Sequence, residues 1–228
     1  MLPSRRFWGR TRAVVKSSTL VDSWHRGMVL KSSSESFPGF SHLYKLASAG
    51  AARAFTADLD LRGADDFAVT RGEELAPPGC SARWAMGATN PSDVIWTRVA
   101  APVLLSERLV AMLREQGFTG WDTYPVTLTD RRGARLPDYH GLSVQGRCGP
   151  IDPSRSTRIS KEYPAGPFPV ARGVYFDESS WDGSDVFVST DGKGWIFVVE
   201  AVQRFFDRAR IKNLQLVPLT EFEQMIVE

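Results

Sequence analysis

Ser106-Glu107-Arg108-Leu109-Val110-Ala111-Met112-Leu113-Arg114-Glu115-Gln116-Gly117-Phe118 is the stretch on which the fold turns. Leu109, Met112 and Leu113 lie on one face behind Leu105, the i, i+4, i+7/8 spacing of an amphipathic helix. Ser106 has the chemistry of an N-cap, and Glu107 falls in the first turn, where the helix dipole favours a carboxylate. Gly117 supplies a left-handed stop and Phe118 its apolar companion. β-rich residues flank the helix, Val94-Ile95-Trp96 before it and Trp121 to Leu128 after it. Thr129 to Gly133 then predicts a hairpin turn, with Tyr139 to Val144 as the returning strand.

A shift of 93 residues brings the pattern round again. Glu107 falls on Glu200, Leu109 on Val202, Leu113 on Phe206, Phe118 on Ile211, Pro125 on Pro218 and Thr127 on Thr220. Upstream, after one inserted residue, Ser92-Asp93-Val94 matches Ser184-Asp185-Val186. The shared phase predicts an α+β fold with two pseudo-repeated strand–helix–strand units, residues 92–128 and 184–221. Each helix is expected to pack on one face of a mixed or antiparallel sheet and return to an adjacent strand. Gly192-Lys193-Gly194 reads as the turn before a strand at Trp195 to Val199, and Phe222 to Val227 as a last helical turn or short strand.

Outside the units the signals weaken. The segment from Gly146 to Pro169, with Pro150, Pro153, Pro164 and Pro167 inside it, is expected to run over the surface as a connector. Ala57 to Leu61 alternates like a brief strand, and residues 76–91 are punctuated by Pro and Gly like a loop. Leu43 to Ala54 suggests a short helix. Residues 1–50 read as a weakly structured basic segment ahead of one domain spanning 51–228. That first segment carries an excess of six positive charges in a chain of net +2, so the remainder is net −4. A mildly acidic body argues against a nucleic-acid-binding face, although the basic segment alone suits weak phosphate contacts.

Composition, with 43% hydrophobic and 24% charged residues, belongs to an ordinary globular protein. No stretch approaches the ~18–20 apolar residues of a membrane span, and the start has no apolar core of a secretion signal. Cys80 and Cys148, without such a signal, suggest reduced thiols and a cytoplasmic location.

No catalytic or metal-binding signature stands out, and no cofactor is expected. Glu107 and Glu200 would form a paired-carboxylate site only by converging within ~5–10 Å. His140 and Cys148, eight residues apart, would need a sharp return to meet as a nucleophile pair. Three histidines and two cysteines include no CxxC or HExxH spacing for zinc. The acids Asp177, Glu178, Asp182, Asp185 and Asp191 surround Trp181. Either they form a solvated loop, or they rim an aromatic anchor suited to a basic protein partner.

Val103 to Leu109, Gly117 to Val126 and Tyr139 to Leu142 together resemble the core of immunity proteins from bacterial polymorphic toxin systems. Ser184 to Phe187, Phe197 to Val202 and Leu216 to Leu219 are similar to the C-terminus of the related myxobacterial double-CXXCG paralogue family. Both CXXCG motifs are missing, with single cysteines at Cys80 and Cys148 in their place. The resemblance spans residues 92–220. It implies a non-enzymatic cytosolic protein that binds and neutralises a cognate toxin. The rival functions are a hydrolase using Cys148 or the two glutamates, and a nucleic-acid-associated regulator using the basic segment.

Overall fold

The computed structural model describes residues 36–50, 54–97, 103–164 and 166–226. The expectation for the basic stretch before residue 36 lies outside those residues. In chain order the first strands are β1 (Leu43–Ala47), β2 (Thr56–Asp60), β3 (Ser81–Met86), β4 (Val94–Thr97), β5 (Val103–Ser106), β6 (Trp121–Thr129) and β7 (Tyr139–Val144). The later ones are β8 (Gly146–Cys148), β9 (Thr157–Tyr163), β10 (Gly166–Arg172), β11 (Val186–Ser189), β12 (Ile196–Val199), β13 (Gln215–Pro218) and β14 (Glu223–Met225). The helices are α1 (Asp66–Thr70), α2 (Glu107–Glu115) and α3 (Glu200–Ala209). The class is α+β.

α2 is the helix that the sequence predicts. Ser106 Oγ accepts the Leu109 N–H at 3.2 Å, and Gly117 ends the helix at φ 70°. β4 and β5 pair antiparallel ahead of it, as β11 and β12 do ahead of α3. The strand after each helix is not a neighbour of the strand before it, contrary to expectation. A third strand runs between them, antiparallel to both: β7 between β5 and β6, and β1 between β12 and β13.

The two arrangements share their register. Tyr124 and Pro125 face Gly141 and His140 in one, and Val217 and Pro218, their 93-residue counterparts, face Lys45 and Tyr44 in the other. Leu104 faces Gly141, and its counterpart Phe197 faces Lys45. Outside, β4 takes β2 as a parallel neighbour and β11 takes β8. Chain order then shows an exchange. The pair β1–β2 precedes the first helix and β7–β8 the second, yet β1 is bound in the sheet of α3 and β7 in the sheet around α2.

β1 overturns the expected helix at Leu43 to Ala54 and the domain boundary at residue 50. Leu43 and Leu46 have helical spacing, but three residues apart on a strand they point to opposite sides. Both are buried, Leu43 against Phe187 and Phe197 in one core and Leu46 among Leu105, Val198 and Leu142 in another. β1 therefore ties residues ahead of position 50 into the sheet of β12 and β13.

Three apolar cores follow from this order. The central one takes matched residues from both arrangements: Val94 and Val186, Leu105 and Val198, Leu109 and Val202, Leu113 and Phe206. The opposite face of the first sheet closes over Phe55, Ile95, Leu104 and Leu128, and that of the second over Phe40, Phe176, Phe187 and Phe197. The loops after the helices match too. Gly117 and Arg210 are left-handed at φ 70° and 52°, and Gly120 and Asn213 at 82° and 67°. Each loop then reaches the other arrangement: Thr119 C=O accepts the Val186 N–H at 3.1 Å, and Asn213 Nδ2 donates to the Val94 carbonyl at 2.8 Å.

The arrangements differ in closure. β2, β3, β6, β7, β5 and β4 form a closed barrel, whereas β13, β1, β12, β11 and β8 stay open. β6 is nine residues long, and its end at Thr127–Thr129 pairs with Ser81–Arg83 of β3. β13 has four residues; beyond Pro218 the chain turns, with the N–H groups of Glu221 and Phe222 both donating to the Pro218 carbonyl. The run 76–91, expected to be loop, supplies β3 because its Pro and Gly bracket a six-residue strand. The expected surface connector contains β8, β9 and β10 instead. β10 tolerates Pro167 and Pro169 because β14 pairs only with Val170–Arg172, so no ladder donor is lost there.

Candidate functional site

The acidic loop between β10 and β11 is built from its ends inward. Asp177 opens a short 3-10 turn by accepting the backbone N–H and the hydroxyl of Ser179 at 3.0 and 2.8 Å. Those hydrogen bonds hold its carboxyl below the usual range. Glu178 is exposed, with Arg155 3.8 Å away. Asp182 accepts the Arg147 N–H at 2.7 Å and the Ser184 N–H at 3.0 Å, while its own N–H donates to the Arg147 carbonyl. Ser180 Oγ accepts the Gly149 N–H at 2.7 Å. The loop is thus fastened to Arg147 of β8 and to Gly149 just after it.

Trp181 stands differently from the exposed anchor that the sequence suggests. It is half-buried, edge-on to Phe37 at 5.9 Å and tilted against Phe187 at 6.1 Å, and its indole N–H donates to the Ser184 carbonyl. Asp185 is 7% exposed, and its Oδ2 accepts both the N–H and the hydroxyl of Thr119 at 2.8 and 2.9 Å. Asp177, Glu178 and Asp182 therefore present charge outward, while Trp181 and Asp185 hold the loop's base. Phe37, Phe40 and Arg155 complete that base. The Arg155 guanidinium lies 4.9 Å from the Phe40 ring and 5.0 Å from that of Tyr175. Phe37 and Phe40 were hidden in sequence by the polar stretch around them; two aromatics flanking Pro38-Gly39 were the available signal.

The catalytic candidates are drawn apart. Cys148 lies in the core with Phe187 and Phe197, and burial pushes its thiol up to about 12. A thiol of that kind is not a nucleophile near neutral pH. His140 is in the other sheet, with Nε2 2.5 Å from Glu107 Oε2. Glu200 is held by His42 Nδ1 at 3.1 Å and by Arg204 at 2.8 Å. Each helix-start glutamate thus meets a histidine and not the other glutamate: His140 lies in β7, and His42 in the 3-10 turn that leads into β1. The two contacts are similar but not register-equivalent, since Tyr44 and not His42 stands at the position of His140.

Among the described residues no group of three or more His, Cys, Asp or Glu is placed to hold a metal ion. No helix among them is long and apolar enough to cross a membrane. Compared with known proteins, the chain matches no family model and no curated protein.

Proposed function

We propose that this chain is an immunity-type protein that binds and neutralises a cognate protein toxin without catalysis, and that its two matched arrangements descend from an internal duplication. The observation that carries the binding role is the preorganisation of the acidic loop. Asp177, Glu178 and Asp182 point outward from a loop tied to β8 and wedged by Trp181, so little ordering entropy would be lost when a basic partner docks. Fixed carboxylates of one sign also speed encounter and reject acidic competitors. The rival hydrolase loses its Cys148 thiol to burial, and each glutamate is engaged by a histidine instead of by the other glutamate.

The test uses the full chain as bait in its native host, with bound proteins identified by mass spectrometry. A single basic partner recovered in near-equal amount supports the proposal. Glu178→Lys is the informative variant, because Glu178 carries charge and its side chain meets only Arg155, at 3.8 Å. It should weaken the complex by about tenfold or more and reduce growth protection. Full retention of the complex in that variant removes this loop as the interface, and a toxin that binds and is chemically altered overturns the non-enzymatic role.

A further inference from the structure

The hairpin between β6 and β7 has no counterpart in the second arrangement, where the matching central strand arrives from residues 43–47. Features common to both arrangements are accounted for by the fold; this hairpin is not. It forms one wall of a cleft of about 310 Å³ whose other wall is Trp84 and the loop after β3. Arg131, Arg132, Asp130 and Leu136 come from the hairpin, and Asn90 from the opposite loop.

Three chemical capacities in this cleft are unused. Arg131 and Arg132 are exposed, and neither meets a carboxylate among the described residues. By contrast, Arg71, Arg108, Arg172 and Arg204 are each paired at 2.8 Å or less. Asp130 makes no ion pair with Arg131 or Arg132; its Oδ1 accepts the N–H groups of Arg132 and Ala134 at 2.8 and 2.9 Å, and its single negative charge in the cleft leaves the two guanidiniums in excess. The Asn90 amide likewise has no hydrogen-bond partner among the described residues. Trp84 donates its indole N–H to the Ala88 carbonyl at 3.1 Å, so what it offers the cleft is apolar ring.

Two guanidiniums suit a phosphate, a tryptophan ring a flat base, and a free amide the polar edge of that base. The volume is at the small end of ligand pockets, which run ~300–1,000 Å³, and favours a single nucleotide over a polymer. We propose that this cleft binds a mononucleotide, with its phosphate on Arg131 and Arg132 and its base against Trp84. None of these residues belongs to the acidic loop, so the nucleotide site stands or falls independently of the toxin-binding proposal.

The test is isothermal titration of the full chain at low salt with the four ribonucleoside 5′-monophosphates, the matching nucleosides and inorganic phosphate. At least one monophosphate should bind saturably, and more tightly than its nucleoside or phosphate alone. The double variant Arg131→Gln/Arg132→Gln should weaken that binding at least about tenfold with an unchanged unfolding midpoint, since both side chains are exposed. Trp84→Phe, which keeps a ring, should weaken it less. Absence of saturable binding up to millimolar nucleotide, or equal binding by the arginine double variant, overturns the site. Phosphate binding as tightly as the nucleotides overturns the role of Trp84.

Discussion

The barrel and the open sheet share strand order, register and a common core, yet one closes on itself and the other does not. Nine residues in β6 against four in β13 account for it: the longer strand reaches β3, and the shorter one turns at Pro218. The closed side carries the hairpin and its arginines; the open side carries β9, β10 and the acidic loop. What the arrangements share builds the fold, and what each adds at its margins is where recognition is proposed.

The largest test of that comparison is the common core. Leu109 and its counterpart Val202 are both fully buried in it. Leu109→Ala should cost about 2–5 kcal/mol and Val202→Ala somewhat less. Both should lower a single cooperative urea transition, because the helices are packed in one core. Two separable transitions would show that the arrangements fold as independent bodies.

The matched loop glycine sharpens it next. A Cβ on Gly120 would lie 2.1 Å from the Val186 carbonyl oxygen, and its φ of 82° is unfavourable for any L side chain. Gly120→Ala should therefore cost about 3 kcal/mol. Asn213→Ala should cost about 2, from left-handed strain and the lost bond to Val94. Equal losses in denaturant titrations would mean the two loops bear on their partners alike.

Titration to alkaline pH separates the outer cores. Burial raises the Cys148 thiol from 9.0 and the Tyr139 hydroxyl from 10.0, each to about 12. Both groups bind their protons more tightly folded than unfolded, so their contribution is complete below the unfolded values and is lost as pH rises towards 12. Each should remove about 1.4 kcal/mol per pH unit within its window. Cys148→Ala should lessen the decline between pH 9 and 10, where thiols titrate ahead of phenols, and leave the part due to Cys80, whose thiol burial also raises.

Smaller effects come from the helix ends. Gly117 and Arg210 are both left-handed, and nothing lies within 4 Å of a Cβ placed on Gly117. Exchange should therefore register backbone strain alone: Arg210→Gly should raise stability by about 1 kcal/mol and Gly117→Arg lower it by a similar amount, read from unfolding midpoints. Glu107→Gln and Glu200→Gln should each cost under about 1 kcal/mol, as partly exposed side-chain pairs do. A much larger loss from Glu107→Gln than from Glu200→Gln would show that the Glu107–His140 contact carries more than a surface pair does.

Sequence by itself determined the local elements and their recurrence. Helix period, cap and stop chemistry act over a few residues, so α2, the β6–β7 hairpin and the 93-residue phase were legible in Ser106, Gly117, Gly133 and the two prolines 125 and 218. Tertiary structure alone decided which strands meet. Leu43 and Leu46 carry a spacing that suits a helix, and only apolar cores on both sides of β1 make them a strand. The same holds for the acids: the five carboxylates around Trp181 look alike in sequence, but Asp185 is buried because Thr119, far along the chain, satisfies it. Pairing partners and burial depend on contacts across the whole fold, and no short-range pattern encodes them.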